Sequence, residues 1–357
     1  MGGRARRRGR SGGVALALAA LAACSPGVEA PAPRQQARSA AVRLRDTDMF
    51  VPPGPSERRA AVGPIDHLPA TLQRAFTGTH DFRAMLPPEP GDWLHRVRER
   101  GQTFAEFVRA PTPYPDPPGR GRDTIYILPL GDFPDGFVVE EERVVLVRSP
   151  DPALLEDYAE RYFSLEVELL PAIPADELEV TRRVRDGRDQ LRAPELVERL
   201  AERLPADGFC LLALTNDDLY IEDDQEYAFG YAALTGRVGV YSFARYDPLF
   251  NGEARGPDYL DLILARSLKI MAHEIGHMFG LEHCVHYSCV MNGAADLIET
   301  DRHPLHLCPV CLRKLQLATG LDPVARYRAL REFHEELGFP EELAWIDRRL
   351  AYVTGEY

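Results

Sequence analysis

The sequence predicts an α/β fold with a mixed sheet, and three observations lead to this class. Short β-branched or apolar runs alternate with amphipathic helical patterns from residue 122 to about residue 258. A long helical pattern over residues 259–279 follows, and two more helical patterns lie near the C-terminus. Apolar residues make up 45% of the 357 residues, which is enough for a sizeable core.

Composition excludes several protein classes. The 42 basic and 55 acidic side chains give a formal charge of -13, which opposes non-specific binding to nucleic acid. No apolar run reaches the roughly 20 residues that span a bilayer, so a polytopic membrane protein is excluded. Six cysteines are too few for a disulfide scaffold in a chain of this length.

The N-terminus predicts a signal peptide over residues 1–24. Five arginines and no acid precede the apolar residues 14–23, and Cys24 follows. The tetrad LAAC that ends at Cys24 resembles a bacterial lipobox, which favours a lipoprotein signal; a plain signal peptide and an organellar transit peptide are the alternatives. Residues 25–59 are rich in Pro, Ala and Arg without periodicity and are predicted to form a disordered tether.

Residues 60–121 are predicted to form a small helical region followed by an arm. Trp93, Val97, Phe104 and Phe107 recur at near-helical spacing over residues 93–108. Residues 110–121 contain five prolines and are predicted to be extended.

The remaining residues, 122–357, are predicted to form the main domain. Apolar and β-branched runs predict strands at Thr124–Leu130, 144–147, 166–171 and 209–214, and a further segment follows over residues 229–243 with Gly236 and Gly239 as turn or bulge positions. Helices are predicted at Pro152–Phe163, 194–204, 259–279, 322–337 and 340–353. Gly280 provides the stop signal of the longest helix.

The chemistry concentrates between residues 273 and 311, which hold six of the ten histidines and four of the six cysteines. His273 and His277 are four positions apart on a predicted helix, so both imidazoles project from one face and can bind one Zn²⁺. Gly280 can turn the chain back, which allows His283 to approach as a third ligand. Three imidazoles leave the fourth position to water, as in catalytic zinc sites, and Glu274 is placed to act as general base and acid on that water.

Four cysteines predict a second metal site. Cys284 and Cys289 form one pair, and Cys308 and Cys311 form a second pair that opens a helix. Such pairs can close a tetrahedral, structural zinc site. Two disulfides, or buried thiols, are the alternatives, and the exported compartment that the leader predicts makes disulfides a serious one.

These residues resemble the archaemetzincins, a family of zinc peptidases within the metzincin clan. The segment HEIGHMFGLEH matches the metzincin pattern HExxHxxGxxH, and Met291 stands where metzincins carry the Met-turn methionine. The added four cysteines are specific to the archaemetzincin family, and the match continues through GRVGVYSFARYDP, RSLKIMAHEIGH and CPVCLRKLQLATG. The resemblance covers about residues 122–335, is closer to vertebrate-type members, and implies a metzincin-like fold with one catalytic and one structural zinc.

Several other residues are weaker candidates for a functional role. Tyr287 could stabilise an oxyanion, although its position differs from that of the metzincin tyrosine. Residues 229–234 are assigned to the edge strand that pairs with substrate. The other candidates are expected to lie on the surface or outside the ligand set (His286, His303, His306), in a buried strand (Cys210), or in a solvated loop rather than a calcium site (Asp217, Asp218, Asp223, Asp224).

The sequence therefore predicts a monomeric zinc metallopeptidase with two zinc ions, acting on peptide or protein substrates. The predicted localisation is exported, with a membrane tether through lipidated Cys24; a cytoplasmic location is the alternative. A zinc-stabilised binding protein with a vestigial peptidase site, and a hydrolase of non-peptide amides, are the competing functions. Whether the peptidase would be an aminopeptidase or an endopeptidase is undecided by the sequence.

Overall fold

The computed structural model describes residues 42–43, 50–111, 114–116, 119–131, 135–140, 143–232 and 236–356. The α-helices in this part of the chain are α1 (Pro55–Val62), α2 (Ala70–Ala75), α3 (Trp93–Arg96), α4 (Phe104–Arg109), α5 (Pro152–Phe163), α6 (Ala193–Leu200), α7 (Tyr259–Met278), α8 (Leu297–Arg302), α9 (Pro309–Thr319), α10 (Pro323–Leu337) and α11 (Pro340–Thr354). The strands there are β1 (Val42–Arg43), β2 (Val97–Arg98), β3 (Thr124–Leu130), β4 (Asp135–Glu140), β5 (Arg143–Arg148), β6 (Val167–Leu169), β7 (Arg182–Arg185), β8 (Arg188–Arg192), β9 (Gly208–Thr215), β10 (Asp218–Tyr220), β11 (Gly230–Ala232) and β12 (Val238–Ser242). The predicted α/β class is confirmed.

The main sheet has the strand order β11-β12-β9-β3-β6, and its strands are parallel except for the antiparallel edge strand β11. Every residue of β3 and β9 is buried, because helices cover both faces of the sheet. Ile127 and Leu212 pack in one core cluster with α5 and α7, whereas Leu128 and Leu211 pack in the other cluster with α6. This layered packing explains why both strands have continuous apolar sequences rather than alternating ones.

A second sheet contributes Leu191 of β8 and Leu219 of β10 to the core cluster that contains α6, and most of its strands were not predicted from the sequence. Its strand order is β10-β8-β4-β5, and β7 pairs with β8 as a hairpin. The hairpin turn is Asp186-Gly187, and both residues have positive φ, 52° and 74°. Asp-Gly is a strong signal for such turns, but the many arginines of β7 and β8 masked the strand pattern.

Helix α7 spans 20 residues and carries most of the candidate site. Its bounds agree with the predicted helix over residues 259–279 to within one residue. Helices α10 and α11 also agree with their predictions; Asp322 caps α10 by accepting hydrogen bonds from the backbone N–H groups of Val324 and Ala325. No helix among the described residues is both long and apolar enough to cross a membrane.

The N-terminal region differs from its prediction in two respects. Helix α1 begins at Pro55, where the Glu57 carboxylate accepts the Gly54 N–H at 2.6 Å, so the segment predicted as a tether through residue 59 is helical at its end. The rest of that segment, apart from residues 42–43 and 50–54, lies outside the described residues. The pattern over residues 93–108 is broken into α3 and α4 by extended β2 and by Gly101, whose φ is +69°.

This region is part of the main core rather than a separate cap. Val62, Phe76 and Phe107 belong to the same buried cluster as the residues of α7 and α9. The Arg313 guanidinium on α9 donates to the carbonyl of Val62, which ties α1 to the helix that carries Cys311. The N-terminal helices therefore pack directly behind the metal-ligand segment.

Candidate metal centres and active site

Helix α7 places His273 and His277 one turn apart on the same face. Their Nε2 atoms are 3.0 Å apart, and their ring centroids are 4.5 Å apart. This proximity follows directly from the i, i+4 geometry of the helix. The predicted pairing of the two imidazoles is thus present in the structure.

The chain turns back immediately after α7 through Gly280. Its φ is +80°, its N–H donates to the carbonyl of His277 at 2.8 Å, and the N–H of Leu281 donates to Gly276 at 3.1 Å. These two hydrogen bonds form a Schellman C-cap, which requires a residue with positive φ. The turn brings the ring of His283 to within 5.2 Å of His273 and 5.1 Å of His277, centroid to centroid.

Each of the three histidines has an acceptor at Nδ1. The partner of His273 is the Val290 carbonyl at 2.9 Å, and that of His277 is the Leu281 carbonyl at 2.6 Å. The partner of His283 is the Glu99 carboxylate at 2.8 Å. Because each Nδ1–H donates, each Nε2 is left as a lone-pair donor for a metal.

The three imidazoles fit a zinc ion. One nitrogen from each of them lies within 4.8 Å of the others. Tetrahedral zinc with Zn–N bonds of about 2.0–2.1 Å needs nitrogens about 3.3–3.4 Å apart, so only small side-chain adjustments are required. Burial lowers the pKa of His273 to about 3 and that of His277 well below its ordinary value, which keeps both rings neutral, as ligands must be.

His283 has a different electrostatic environment. Burial lowers its pKa, but the charge and hydrogen bond of Glu99 outweigh burial, so the pKa is raised. The pKa of Glu99 is lowered despite its burial, because of His283 and the Trp93 side chain. Of the three histidines, His283 is therefore the one whose Nδ1 is hydrogen-bonded to a charged group.

Glu274 lies next to the first histidine and faces the edge strand β11. Its side chain is buried, and burial raises its pKa to about 8 against a smaller lowering by His283. A Cβ on Gly230 would be 2.6 Å from Glu274 Oε1, so the absence of a side chain at this position gives the carboxylate its space. Strand β11 lies within residues 229–234, which the sequence assigned to the edge strand; residues 233–235 are outside the described ranges.

Met291 lies beneath the helix, as expected for a methionine that supports the floor of the site. It is fully buried, and a Cβ on Gly276 would be 2.5 Å from its Sδ atom. Its carbonyl accepts the N–H of Cys284 at 2.7 Å, which connects the methionine to the second cluster. Gly276 thus allows close packing between α7 and the Met291 turn.

The four cysteines predicted to bind a second zinc are gathered behind the histidines. Their Sγ atoms lie within 4.8 Å of one another, all four side chains are buried, and all four are free thiols (Cys284, Cys289, Cys308, Cys311). The Sγ atoms of Cys284 and Cys308 are 3.6 Å apart, close to the roughly 3.8 Å edge of a tetrahedron with Zn–S bonds of about 2.3 Å. The geometry fits a metal site, and the described cysteines form no disulfide bond.

Ionisation of all four thiols in the cysteine cluster requires a cation. Hydrogen bonds from the other thiols hold the pKa of Cys284 well below its ordinary value, whereas burial raises those of Cys289 and Cys308 well above it. Four buried thiolates would repel one another without a divalent ion. The donor set is therefore one that a soft metal such as zinc would complete.

Asn292, which no sequence pattern marks, shapes the loop between the clusters. Its Oδ1 accepts the N–H of Cys289 at 2.7 Å, and its Nδ2 donates to the carbonyls of Cys284 and Tyr287 at 2.7 and 2.9 Å. Glu99 was also missed, because it lies 184 positions before His283 and no local pattern marks it. Only the folded chain brings these residues to the site.

The weaker candidates do not join either cluster. His286 is outside both ligand sets but is buried rather than on the surface. Its ring nitrogens have no hydrogen-bond partner among the described residues. His306 stacks on Trp345 with ring centroids 3.7 Å apart, and His303 is partly buried. Tyr287 packs against Arg58 and Phe82 of the N-terminal region.

The solvated-loop prediction for the acids is wrong for Asp218. This residue is 1% exposed in β10, where its carboxylate accepts two hydrogen bonds from the Arg245 guanidinium at 2.8 and 2.6 Å. Gln190 Nε2 donates to the same carboxylate at 2.7 Å. Asp218 is therefore part of a buried ion pair that links β10 to the segment after β12, whereas Cys210 lies in β9, as predicted.

Comparison with known proteins gives consistent matches. The model of Peptidase family M54 matches residues 200–317. Archaemetzincin-2 of Macaca fascicularis and that of Homo sapiens are each 35% identical to this chain in an alignment of 285 residues that covers 72% of this chain and 76% of each relative. A solved structure of the archaemetzincin of Methanopyrus kandleri is 26% identical and covers 57% of this chain and 99% of its own, but with a TM-score of 0.42 the overlay adds nothing to the similarity in sequence.

Proposed function

The chain belongs to the archaemetzincin family of zinc metallopeptidases, and we propose that it hydrolyses peptide bonds with His273, His277 and His283 as ligands of the catalytic zinc. Glu274 is the general base and acid in this proposal. The observation that carries it is the convergence of three imidazole rings, each with Nδ1 hydrogen-bonded to an acceptor, and one buried carboxylate beside an edge strand. Metal storage would not need that carboxylate.

A zinc ion held by the histidines would polarise the peptide carbonyl and lower the pKa of a water molecule toward about 7. Glu274 accepts a proton from the attacking water and returns it to the leaving amine. Its raised pKa of about 8 suits the second step, because a carboxyl group that holds a proton near neutral pH can donate it. The positive charge of a bound zinc ion would lower the pKa of Glu274 again, which favours its acceptance of a proton from water.

Strand β11 is proposed to hold the substrate. It pairs with β12 in antiparallel register and stands at the end of the strand order of the main sheet. An extended peptide could bind alongside such a strand through backbone hydrogen bonds. Because Gly230 contacts Glu274, a peptide on this strand would lie beside the base.

The four cysteines are proposed to hold a structural zinc, which gives two zinc ions per chain. Cys284 directly follows His283, so a metal at the cysteines would fix the loop that presents the third histidine. Cys308 and Cys311 attach this loop to α9. Such a closed thiolate site stabilises a fold without taking part in the reaction.

Export, the lipid tether at Cys24 and the monomeric state stay predictions. The residues that carry the leader lie outside the described part of the chain. Peptide and protein substrates are expected because the relatives belong to a peptidase family.

The test is Glu274→Gln, assayed on a broad peptide library with zinc content measured in parallel. We expect a loss of at least about 10²-fold in rate with unchanged zinc, in line with general-base contributions. Glu253→Gln, in an exposed loop, is the matched control and should cleave normally. Unchanged hydrolysis in Glu274→Gln would refute the assignment, and a zinc-loaded wild type that cleaves no peptide would favour the binding-protein alternative.

A further inference from the structure

We propose that Glu99 is a positioning residue for the catalytic zinc: its carboxylate orients His283 and strengthens metal binding from the N-terminal region. This inference rests on the proposed function in two respects: His283 is a zinc ligand, and the four cysteines hold the second zinc that serves as reference in the test. The observation behind it is the 2.8 Å contact between Glu99 Oε1 and His283 Nδ1, in which the Glu99 side chain is only 8% exposed. The catalytic site then consists of two parts of the chain that are far apart in sequence.

The contact is enclosed by close packing. The Trp93 ring meets the His283 ring edge to face, with centroids 5.5 Å apart. A Cβ on Gly293 would lie 2.5 Å from Trp93 Cδ1 and 2.9 Å from His283 Nδ1, so the turn after Met291 closes against both rings. Little room is left for His283 to rotate away from Glu99.

Glu99 is placed by a segment that we call the strap, residues 83–102, which runs along the metal-ligand loop. Gln102 Nε2 donates to the Gly280 carbonyl at 3.2 Å, directly at the turn that redirects the chain after α7. At the other end, the N–H of Ser288 donates to the Arg83 carbonyl at 2.9 Å. The strap is therefore attached to the loop on both sides of His283.

The charge of Glu99 distinguishes it from the other acceptors. His273 and His277 donate to neutral backbone carbonyls, whereas His283 donates to a carboxylate. A charge-assisted hydrogen bond is stronger than a neutral one, and a carboxylate makes the imidazole a better electron donor to a metal. Loss of such a partner typically weakens metal binding by about 10- to 100-fold.

A structural role for Glu99 would give a different result. If the carboxylate only attached the strap, its loss would loosen the whole loop, including Cys284, and would affect both metal sites. If it acts on His283, the effect is confined to the histidine site. The cysteine site of the same molecule therefore serves as an internal reference.

The experiment compares Glu99→Gln and Glu99→Ala in the full chain. Zinc affinity is measured by competition with a chromophoric chelator, and zinc retained per chain is counted by mass spectrometry under native conditions. His283→Ala identifies which zinc equivalent belongs to the histidine site. Glu106→Gln is the matched control, because Glu106 lies in the same region and caps α4 through Thr103 without contacting a histidine.

We expect Glu99→Gln to weaken zinc binding at the histidine site by about 10-fold or more and Glu99→Ala by up to about 100-fold, with the cysteine zinc retained in both. Glu106→Gln should bind both ions as the wild type does. Unchanged affinity in Glu99→Gln, loss of both ions together, or an equal loss in Glu106→Gln would each overturn the inference while leaving the proposed function intact. A wild type that binds no zinc at the histidines would overturn both.

Discussion

The substitution Gly230→Ala tests whether Glu274 must occupy its observed position. An added Cβ would lie 2.6 Å from Oε1, 2.8 Å from Cδ and 2.9 Å from Cγ of Glu274, whereas ordinary contact begins at 3.4 Å. The carboxylate must therefore move by about 3.4 − 2.6 = 0.8 Å, because β11 is held in the sheet by β12. The three atoms nearest to the new methyl group all belong to the Glu274 side chain.

The expected consequence is a loss of turnover without a loss of metal. A misplacement of about 1 Å in a reacting group can cost about 10²-fold, so we expect kcat to fall by about 10- to 100-fold. This corresponds to about 1.4–2.7 kcal/mol of transition-state stabilisation. The assay is steady-state cleavage of a peptide selected from the library, with zinc content measured on the same samples.

Two controls separate this effect from general damage. Gly239→Ala lies on the neighbouring strand β12, where the three atoms nearest to an added Cβ belong to Ala232 and Leu212, at 3.0–3.4 Å, and it should retain most activity. In the Glu274→Gln background, Gly230→Ala should cause little further loss, since both changes act through the same carboxylate. A zinc-replete Gly230→Ala enzyme with wild-type kcat would refute the reasoning.

Two further predictions concern the cysteines and the buried ion pair. Cys308→Ser should reduce zinc from two ions to one per chain and lower the thermal unfolding midpoint, while Cys210→Ala should keep both ions; two zinc ions in Cys308→Ser, by metal analysis, would contradict the proposed site. Arg245→Ala should lower the free energy of unfolding by about 3–5 kcal/mol in urea titrations, because it leaves Asp218 buried without its cation. Arg203→Ala, which removes an exposed ion pair, should cost much less, and equal losses would show that burial of the Asp218 pair is unimportant.

Sequence patterns correctly predicted the helices and strands whose conformation depends mainly on residues within the element itself. The bounds of β3 and α5 agree with the prediction at every residue, because apolar runs and a Pro at the helix start are signals within the segment itself. Helix α7 and its stop at Gly280 were predicted for the same reason. The continuous helical pattern over residues 93–108 failed, since Gly101 and the contacts of the strap favour an extended stretch there.

By itself, the sequence determined which residues could hold the metals. The signals are short-range: the spacing of His273 and His277 on a helix, a glycine that turns the chain, and two cysteine pairs. The backbone geometry that these spacings impose leaves few other residues that could be the metal ligands. Tertiary structure alone decided that Glu99 meets His283, that Gly230 makes room for Glu274, and that Asp218 is buried against Arg245. These contacts join segments far apart in the chain, and their positions depend on how whole elements pack, which no local spacing rule specifies.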